Sequence, residues 1–253
     1  MRIVLITQND VFYLPAAIDY LLEHFPSHSQ VVGAVVADVS PFGKRESIVR
    51  KTWKTLRTFG PLFFVRFSVK YAVRKLSGAD VPAVLRKRGI PRVPVTGSIN
   101  SAASLAAIRA SRPDLLMSIA GNQLFKKGLL DIPGRGTLNL HSALLPKYRG
   151  LMPTFWVLKN GEEKTGVSVF FVDEGIDSGP ILVQKEVAIG SMTQEELIVT
   201  TKRLGMEAII EAVDLIEKGG YVLMPNPDSE KSYYSFPSRE DVREFYGRGK
   251  RFY

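Results

Sequence analysis

The chain has 253 residues, 45 % of them hydrophobic, and a formal net charge of +9 at pH 7. It contains no cysteine, which excludes disulfides and thiolate metal sites. No apolar run reaches the about 18 residues that cross a bilayer, and the apolar N-terminal stretch is too short for a signal peptide, so we expect a cytoplasmic protein.

Short apolar runs alternate with stretches of helical periodicity along the chain. This alternation predicts an α/β fold, with a mostly parallel sheet flanked by helices. The predicted strands are Ile3–Ile6, Val31–Val36, Arg92–Val95, Leu115–Ile119, Thr137–Asn139, Val167–Val172 and Ile181–Val187. The last two lie so close in sequence that we expect antiparallel pairing at one edge. The predicted helices are Leu14–His24, Ala102–Ala110, Pro153–Lys159 and one from near Thr193 to Gly219.

A basic segment separates the second predicted strand from the third. Residues 41–78 contain ten basic residues and one acid, Glu46, interleaved with aromatic residues that include Trp53, Phe59, Phe63, Phe64, Phe67 and Tyr71. The segment has helical periodicity with a break at Gly60-Pro61, which predicts a helical insertion over about residues 41–88. Amphipathic packing against the fold, a phosphorylated ligand, RNA and an anionic membrane surface all remain possible explanations of its charge.

The C-terminal part begins with a helix-capping pattern, Thr193-Gln194-Glu195-Glu196, and its helix is expected to end at Gly219-Gly220. A second cap, Ser238-Arg239-Glu240-Asp241, predicts a short final helix. We therefore expect a catalytic domain over residues 1–190, which includes the insertion, and a small helical extension over residues 191–253.

Two polar residues, Asn139 and His141, follow a predicted strand at a spacing that directs both side chains to one side. An amide can donate a hydrogen bond to a carbonyl oxygen as it becomes negative, and an imidazole can move a proton near neutral pH. Downstream, Asp173, Glu174 and Asp177 supply carboxylates that can orient the imidazole or a water. This set of groups is suited to acyl transfer to an amine.

The stretch Asn-Leu-His-Ser-Ala-Leu-Leu-Pro-Lys-Tyr-Arg-Gly over residues 139–150 resembles the signature of the formyltransferases that use 10-formyltetrahydrofolate, Asn-x-His-x-Ser-Leu-Leu-Pro-x-x-Arg-Gly. The likeness extends from about Ile90 to Ala188. It implies a Rossmann-like formyltransferase fold, 10-formyltetrahydrofolate as formyl donor, no metal, and a primary amine as acceptor. Ala143 stands where the family usually has serine, and we expect the lost hydroxyl to affect the acceptor more than the chemistry.

The resemblance also implies roles for individual residues. Catalysis is assigned to Asn139, His141 and Asp177, because the family's acid directly precedes a small-Gly-Pro step. The residues assigned to the acceptor side are Pro146, Arg149 and Gly150, although Arg149 is also compatible with a solvated surface charge. The residues assigned to the formyl donor are Gly121, Asn122, Gln123, Leu124, Phe125 and Asp173. The first five form a loop that cradles the pterin ring through its backbone.

The acceptor is less sharply indicated than the reaction. No Gly-rich loop follows the first strand, which argues against glycinamide ribonucleotide, and we expect no room for the C-terminal barrel of methionyl-tRNA formyltransferases. A nucleotide-linked or otherwise phosphorylated amino sugar is therefore favoured. Methionyl-tRNA, hydrolysis of the donor, a homodimer, and a non-enzymatic role in which residues 44–75 dock on RNA or membrane remain alternatives.

Overall fold

The computed structural model describes residues 1–39 and 47–253, without the side chain of Ile48. Lys44, Arg45 and Glu46 of the basic segment lie outside the described residues. A two-stranded parallel pair is formed by β5 (Arg149–Gly150) and β8 (Tyr233–Tyr234). The main sheet has six strands, in the spatial order β2 (Gln30–Ala37), β1 (Arg2–Gln8), β3 (Leu115–Ile119), β4 (Thr137–His141), β6 (Lys164–Phe171) and β7 (Ile181–Ala188).

The predicted α/β class is confirmed by the direction of these strands. The neighbouring strands β2, β1, β3 and β4 are parallel, whereas β6 pairs antiparallel with both β4 and β7. The expected antiparallel edge is therefore present.

The strand predicted at Arg92–Val95 is wrong, because this segment makes only a single bridge, between Arg92 and Ala34. Pro91 and Pro94 flank the bridge, and proline has no N–H to continue a ladder. Strand β4, in contrast, extends through His141, two residues beyond its predicted end. Pairing of His141 with Ser168 of β6 accounts for the extension.

The helices largely follow the sequence patterns. They are α1 (Leu14–Glu23), α2 (Ile48–Phe59), α3 (Pro61–Leu76), α4 (Val81–Lys87), α5 (Ala102–Ala110), α6 (Lys127–Leu130), α7 (Pro153–Asn160), α8 (Gln194–Lys218) and α9 (Arg239–Gly247), with a 3-10 turn at Asp228–Glu230. The break between α2 and α3 lies at Gly60, whose φ of 86° suits glycine, and Pro61 opens the next helix. None of the described helices is long and apolar enough to cross a membrane.

The core occupies both faces of the main sheet. Side chains of β1 and β3 alternate between a cluster that includes α1 and α8 and a second cluster on the opposite face that includes Ile108 of α5. Helix α8 contributes Met206, Ile209 and Val213 to the same cluster as Leu140 of β4. Packing therefore runs continuously across residue 190, and the proposed division there stays a prediction.

Candidate active site

Strand β4 presents two polar side chains to a cavity of about 380 Å³. Leu138 and Leu140 point into the core, so the alternating residues Asn139 and His141 point to the other face, where both line the cavity. Asp177 lines it as well. The structure thus brings together the three side chains that the sequence assigns to catalysis.

His141 is held in one orientation by a backbone carbonyl. Its side chain is buried, and Nε2 lies 2.7 Å from the carbonyl oxygen of Tyr148. A carbonyl can only accept, so Nε2 carries a proton, and Nδ1 is left as the nitrogen that exchanges protons. Nδ1 is 3.6 Å from Oδ2 of Asp177, too long for a hydrogen bond but within the range of an ion pair when Nδ1 carries a proton.

Asp177 reaches His141 from a loop that folds back along β4. Because β6 is antiparallel to β4, this loop starts beside Thr137, whose carbonyl accepts a hydrogen bond from the N–H of Val172. Asp177 adopts a left-handed backbone conformation with φ of 50°, and its Oδ2 accepts a 2.8 Å hydrogen bond from the N–H of Gly150. Such a conformation persists where surrounding contacts enforce it.

Asn226 helps to hold Asp177 in this left-handed conformation. Its Nδ2 donates to the carbonyl oxygens of Asp177 and Gly179, both at 2.9 Å. Its Oδ1 accepts a 2.9 Å hydrogen bond from Arg149. Asn226 lies far outside the sequence motifs, so no pattern in the sequence indicates this role.

Gly150 is required as glycine at this position. Its φ is 97°, and a Cβ there would overlap the carbonyl oxygen of Tyr234 across the β5–β8 pair. The residue lines the cavity and supplies the N–H that binds Asp177. Its assignment to the acceptor remains a prediction.

The loop assigned to the formyl donor borders the same cavity, and all five of its residues, 121–125, contribute to the wall. The side chain of Gln123 accepts a hydrogen bond from the N–H of Ile99 at 2.9 Å, and Asn122 donates to the carbonyl of Asp38 at 2.6 Å. These two side chains, together with Asn100, whose Nδ2 donates a 2.8 Å hydrogen bond to the carbonyl of Leu124, hold the loop in place.

Several assigned residues do not line this cavity, namely Pro146, Arg149 and Asp173. Asp173 accepts hydrogen bonds from the Gly175 N–H at 2.9 Å and the Ser178 hydroxyl at 2.5 Å, so it stabilises its own loop. Pro146 is half-buried. The structure therefore gives neither residue a direct position against a ligand in the cavity.

Arg149 is buried, at 3 % exposure, so the alternative of a solvated surface charge is wrong. Its Nη1 donates to Asp228 at 2.7 Å, and its Nη2 donates to Asn226. Lys231 and Arg149 together lower the pKa of Asp228. Both Nη groups of Arg149 thus bind partners inside the protein, and Arg149 positions Asn226.

Ala143 is also placed differently from the sequence-based expectation. Its side chain is fully buried among the residues of a second core cluster, with Phe155 and Leu197, and it does not line the cavity. A serine at this position would not contact a substrate in the cavity. The departure from the family signature is therefore a packing difference.

Lys202 of α8 is a cavity residue that sequence analysis missed. Its Nζ lies 3.4 Å from the hydroxyl of Ser142, next to His141. Burial lowers the pKa of Lys202, and nearby Asp10 partly opposes that shift. Within a long amphipathic helix, a single lysine gives no signal that it faces a site.

Comparison with known proteins identifies a family whose sequences resemble this chain. Residues 91–213 match the family model described as Formyl transferase. Over 173 residues the chain is 36 % identical to a methionyl-tRNA formyltransferase from Kosmotoga olearia, which covers 67 % of this chain and 54 % of that protein. The chain spans about half the length of the curated relatives it matches.

Two solved structures share the fold. A phosphoribosylglycinamide formyltransferase from Anaplasma phagocytophilum superposes with a TM-score of 0.62 at 15 % identity, over 93 % of this chain and 99 % of that one. An N-formyltransferase from Helicobacter canadensis, solved with folinic acid and dTDP-3-aminofucose, has a TM-score of 0.55 at 16 % identity, over 96 % and 78 % of the two chains. The resemblance to the formyltransferase family is confirmed: this chain is related to the formyltransferases and carries their family domain over residues 91–213.

Proposed function

We propose that this protein transfers a formyl group from 10-formyltetrahydrofolate to a primary amine. The observation that carries the proposal is the convergence of Asn139, His141 and Asp177 on one cavity. The loop of residues 121–125, which lines the same cavity, supplies a wall for the pterin ring. Folinic acid in the Helicobacter canadensis relative supports a folate ligand for this fold.

Asn139 and His141 stabilise the charge that develops during transfer. As the amine nitrogen forms its bond to the formyl carbon, the formyl oxygen gains negative charge. The side-chain amide of Asn139 and the protonated Nδ1 of His141 donate hydrogen bonds to that oxygen, while Tyr148 keeps the imidazole in place. Each such donor lowers the barrier by about 3 kcal/mol, or roughly a hundredfold in rate.

Asp177 completes the proton transfer. Its carboxylate faces Nδ1 of His141 at 3.6 Å and accepts the proton that the attacking amine loses, directly or through a water. The bond between the formyl carbon and N10 then breaks, and N10 takes up a proton. The products are a formamide and tetrahydrofolate, and the proton lost by the amine balances the one gained by N10.

For the acceptor, we propose a nucleotide-linked or otherwise phosphorylated amino sugar. Support comes from Lys202, whose amino group lies in the cavity wall beside Ser142, and from the dTDP-amino sugar in the Helicobacter canadensis structure. Methionyl-tRNA is the second candidate, because the curated relatives with 33–38 % identity carry that name and residues 47–76 are strongly basic.

The test is release of tetrahydrofolate from 10-formyltetrahydrofolate, with and without a panel of amines. The panel contains dTDP-linked 3- and 4-amino sugars, glycinamide ribonucleotide and methionyl-tRNA. We expect release that depends on one amine and is lost in His141→Ala, while His24→Ala, an exposed histidine on α1's C-terminal end, keeps full rate. Release without any amine would indicate hydrolysis instead, and no release with any amine would contradict the proposal.

A further inference from the structure

Helix α3 is apolar on two opposite faces, which is unusual for a helix on the surface of a protein. Its inner face carries aromatic residues that attach it to the fold. Phe63 stacks on Phe59 and Tyr253, with ring centroids 4.6 and 5.6 Å apart, and Phe67 lies 5.0 Å from Phe12. An ion pair between Lys70 and Glu195 joins the same face to α8. These contacts hold the inner face against the fold, beside a cavity that Phe64, Phe67 and Tyr71 help to line.

The outer face of α3 carries a continuous aliphatic stripe. At 3.6 residues per turn, its members fall within an arc of roughly 80°. All of them are between 60 % and 88 % exposed: Leu62, Val65, Val69, Val73 and Leu76. We call these five residues the aliphatic stripe. Nothing in residues 1–39 and 47–253 covers it, so its apolar area faces outwards.

The surroundings of the stripe are positively charged. From Ser47 to Leu76 the chain has eight basic residues and no acidic one. On α3, the exposed side chain of Arg66 borders the stripe, whereas the exposed Arg74 and Lys75 project from other sides of the helix. Trp53 of the adjacent helix α2 is 64 % exposed. Exposed aliphatic side chains in a strongly basic segment, with an exposed tryptophan on the adjacent helix, complement an anionic lipid surface.

We propose that the aliphatic stripe and its flanking cations form a docking site for the surface of an anionic phospholipid bilayer. Helix α3 lies in the plane of the interface, since no described helix is able to cross a membrane. RNA would engage the cations but would gain nothing from five exposed aliphatic side chains. A second copy of the chain would cover the stripe but would bring the same excess of cations against it.

The chain offers an intrinsic probe of this docking. It has two tryptophans, of which Trp53 is exposed on the adjacent helix α2 and Trp156 is buried at 7 % exposure. Adding phosphatidylcholine–phosphatidylglycerol vesicles is expected to shift the emission of Trp53 to the blue, and phosphatidylcholine vesicles alone are not. Trp53→Phe removes the shift, because Trp156 is shielded in both states. Lipids brominated near the headgroup quench Trp53 if it enters the interface.

Two sets of substitutions separate lipid contact from charge. The triple variant Leu62→Ser, Val69→Ser and Leu76→Ser, and the triple variant Arg50→Gln, Arg57→Gln and Arg74→Gln, are each expected to weaken vesicle binding by about tenfold or more. All six positions are exposed, so both proteins fold. Lys218→Gln, Arg243→Gln and Arg248→Gln remove equal charge from other exposed positions and are expected to bind as the wild type does.

Three results would overturn the proposal. The first is no binding of the wild-type protein to phosphatidylglycerol vesicles in co-sedimentation. The second is unchanged binding of the serine variant to both vesicles and polyuridylic acid, which would indicate an RNA or purely electrostatic surface. The third is a wild-type dimer that the serine variant converts to monomer while vesicles bind neither protein. Because the readout is binding, it is independent of formyl transfer.

Discussion

The substitution Asn226→Ala tests whether a residue outside the two sequence motifs, residues 139–150 and 173–180, holds the loop of Asp177 in position. Asn226 donates to the backbone carbonyls of Asp177 and Gly179 and accepts from Arg149, with all three distances at 2.9 Å. Alanine removes all three hydrogen bonds and leaves the left-handed conformation of Asp177 with fewer restraints.

The loss of unfolding free energy in Asn226→Ala follows from the type of each hydrogen bond that is removed. The two amide-to-carbonyl bonds contribute about 1 kcal/mol each, and the bond from the guanidinium contributes about 1.5–3 kcal/mol. Asn226 is half-buried, so water replaces part of this and the net loss of unfolding free energy is expected to be about 2–3 kcal/mol. A shift of Asp177 by about 1 Å is expected to lower the transfer rate by roughly a hundredfold.

Asn160→Ala is the matched control, because Asn160 also donates two hydrogen bonds, to the hydroxyls of Tyr148 and Tyr234, but does not touch the loop of Asp177. Urea unfolding measures the stability of both variants, and amine-dependent tetrahydrofolate release measures their rates. We expect both to lose stability and only Asn226→Ala to lose rate. Equal rates in the two variants would refute a role for Asn226 in positioning Asp177.

Two further substitutions test the geometry of the site. Gly150→Ala places a Cβ against the carbonyl of Tyr234 and is expected to cost about 1–3 kcal/mol more, by urea unfolding, than Gly161→Ala, which has a similar φ and open space around it. Equal losses would show that no overlap occurs. Burial lowers the pKa of Lys202, so its amino group binds a proton more tightly in the unfolded chain than in the folded protein. The free energy of unfolding should therefore rise as pH increases from the lowered pKa towards 10.5. Lys202→Met should abolish this rise, and a pH profile identical to the wild type would contradict it.

The sequence predicts the sheet and most helices because each depends on local patterning. The capping box of Thr193 and Glu196 and the break at Gly60 are local signals, and both appear as expected. The segment at Arg92–Val95 fails because two local signals conflict. Its valines suit a strand, but Pro91 and Pro94 leave it with one bridge to Ala34.

The sequence predicts some residues of the candidate site and misses others. Asn139 and His141 share a face because of strand alternation, which is visible in the sequence. The internal hydrogen bonds of Arg149 cannot be predicted from the sequence, because its partners Asp228 and Asn226 lie more than seventy residues away along the chain. Lys202 is missed for the same reason, since only the packing of α8 turns it towards Ser142.

The most direct test of the central claim compares two aspartates on one loop, Asp177→Asn and Asp173→Asn. Each asparagine keeps an oxygen that accepts the native backbone hydrogen bond, from Gly150 or Gly175, so both loops retain their structure. The measurement is single-turnover transfer of a ¹³C-labelled formyl carbon from 10-formyltetrahydrofolate to the active amine. We predict that Asp177→Asn slows transfer by roughly a hundredfold or more, while Asp173→Asn transfers at nearly the wild-type rate. Unimpaired transfer by Asp177→Asn would contradict the proposed mechanism.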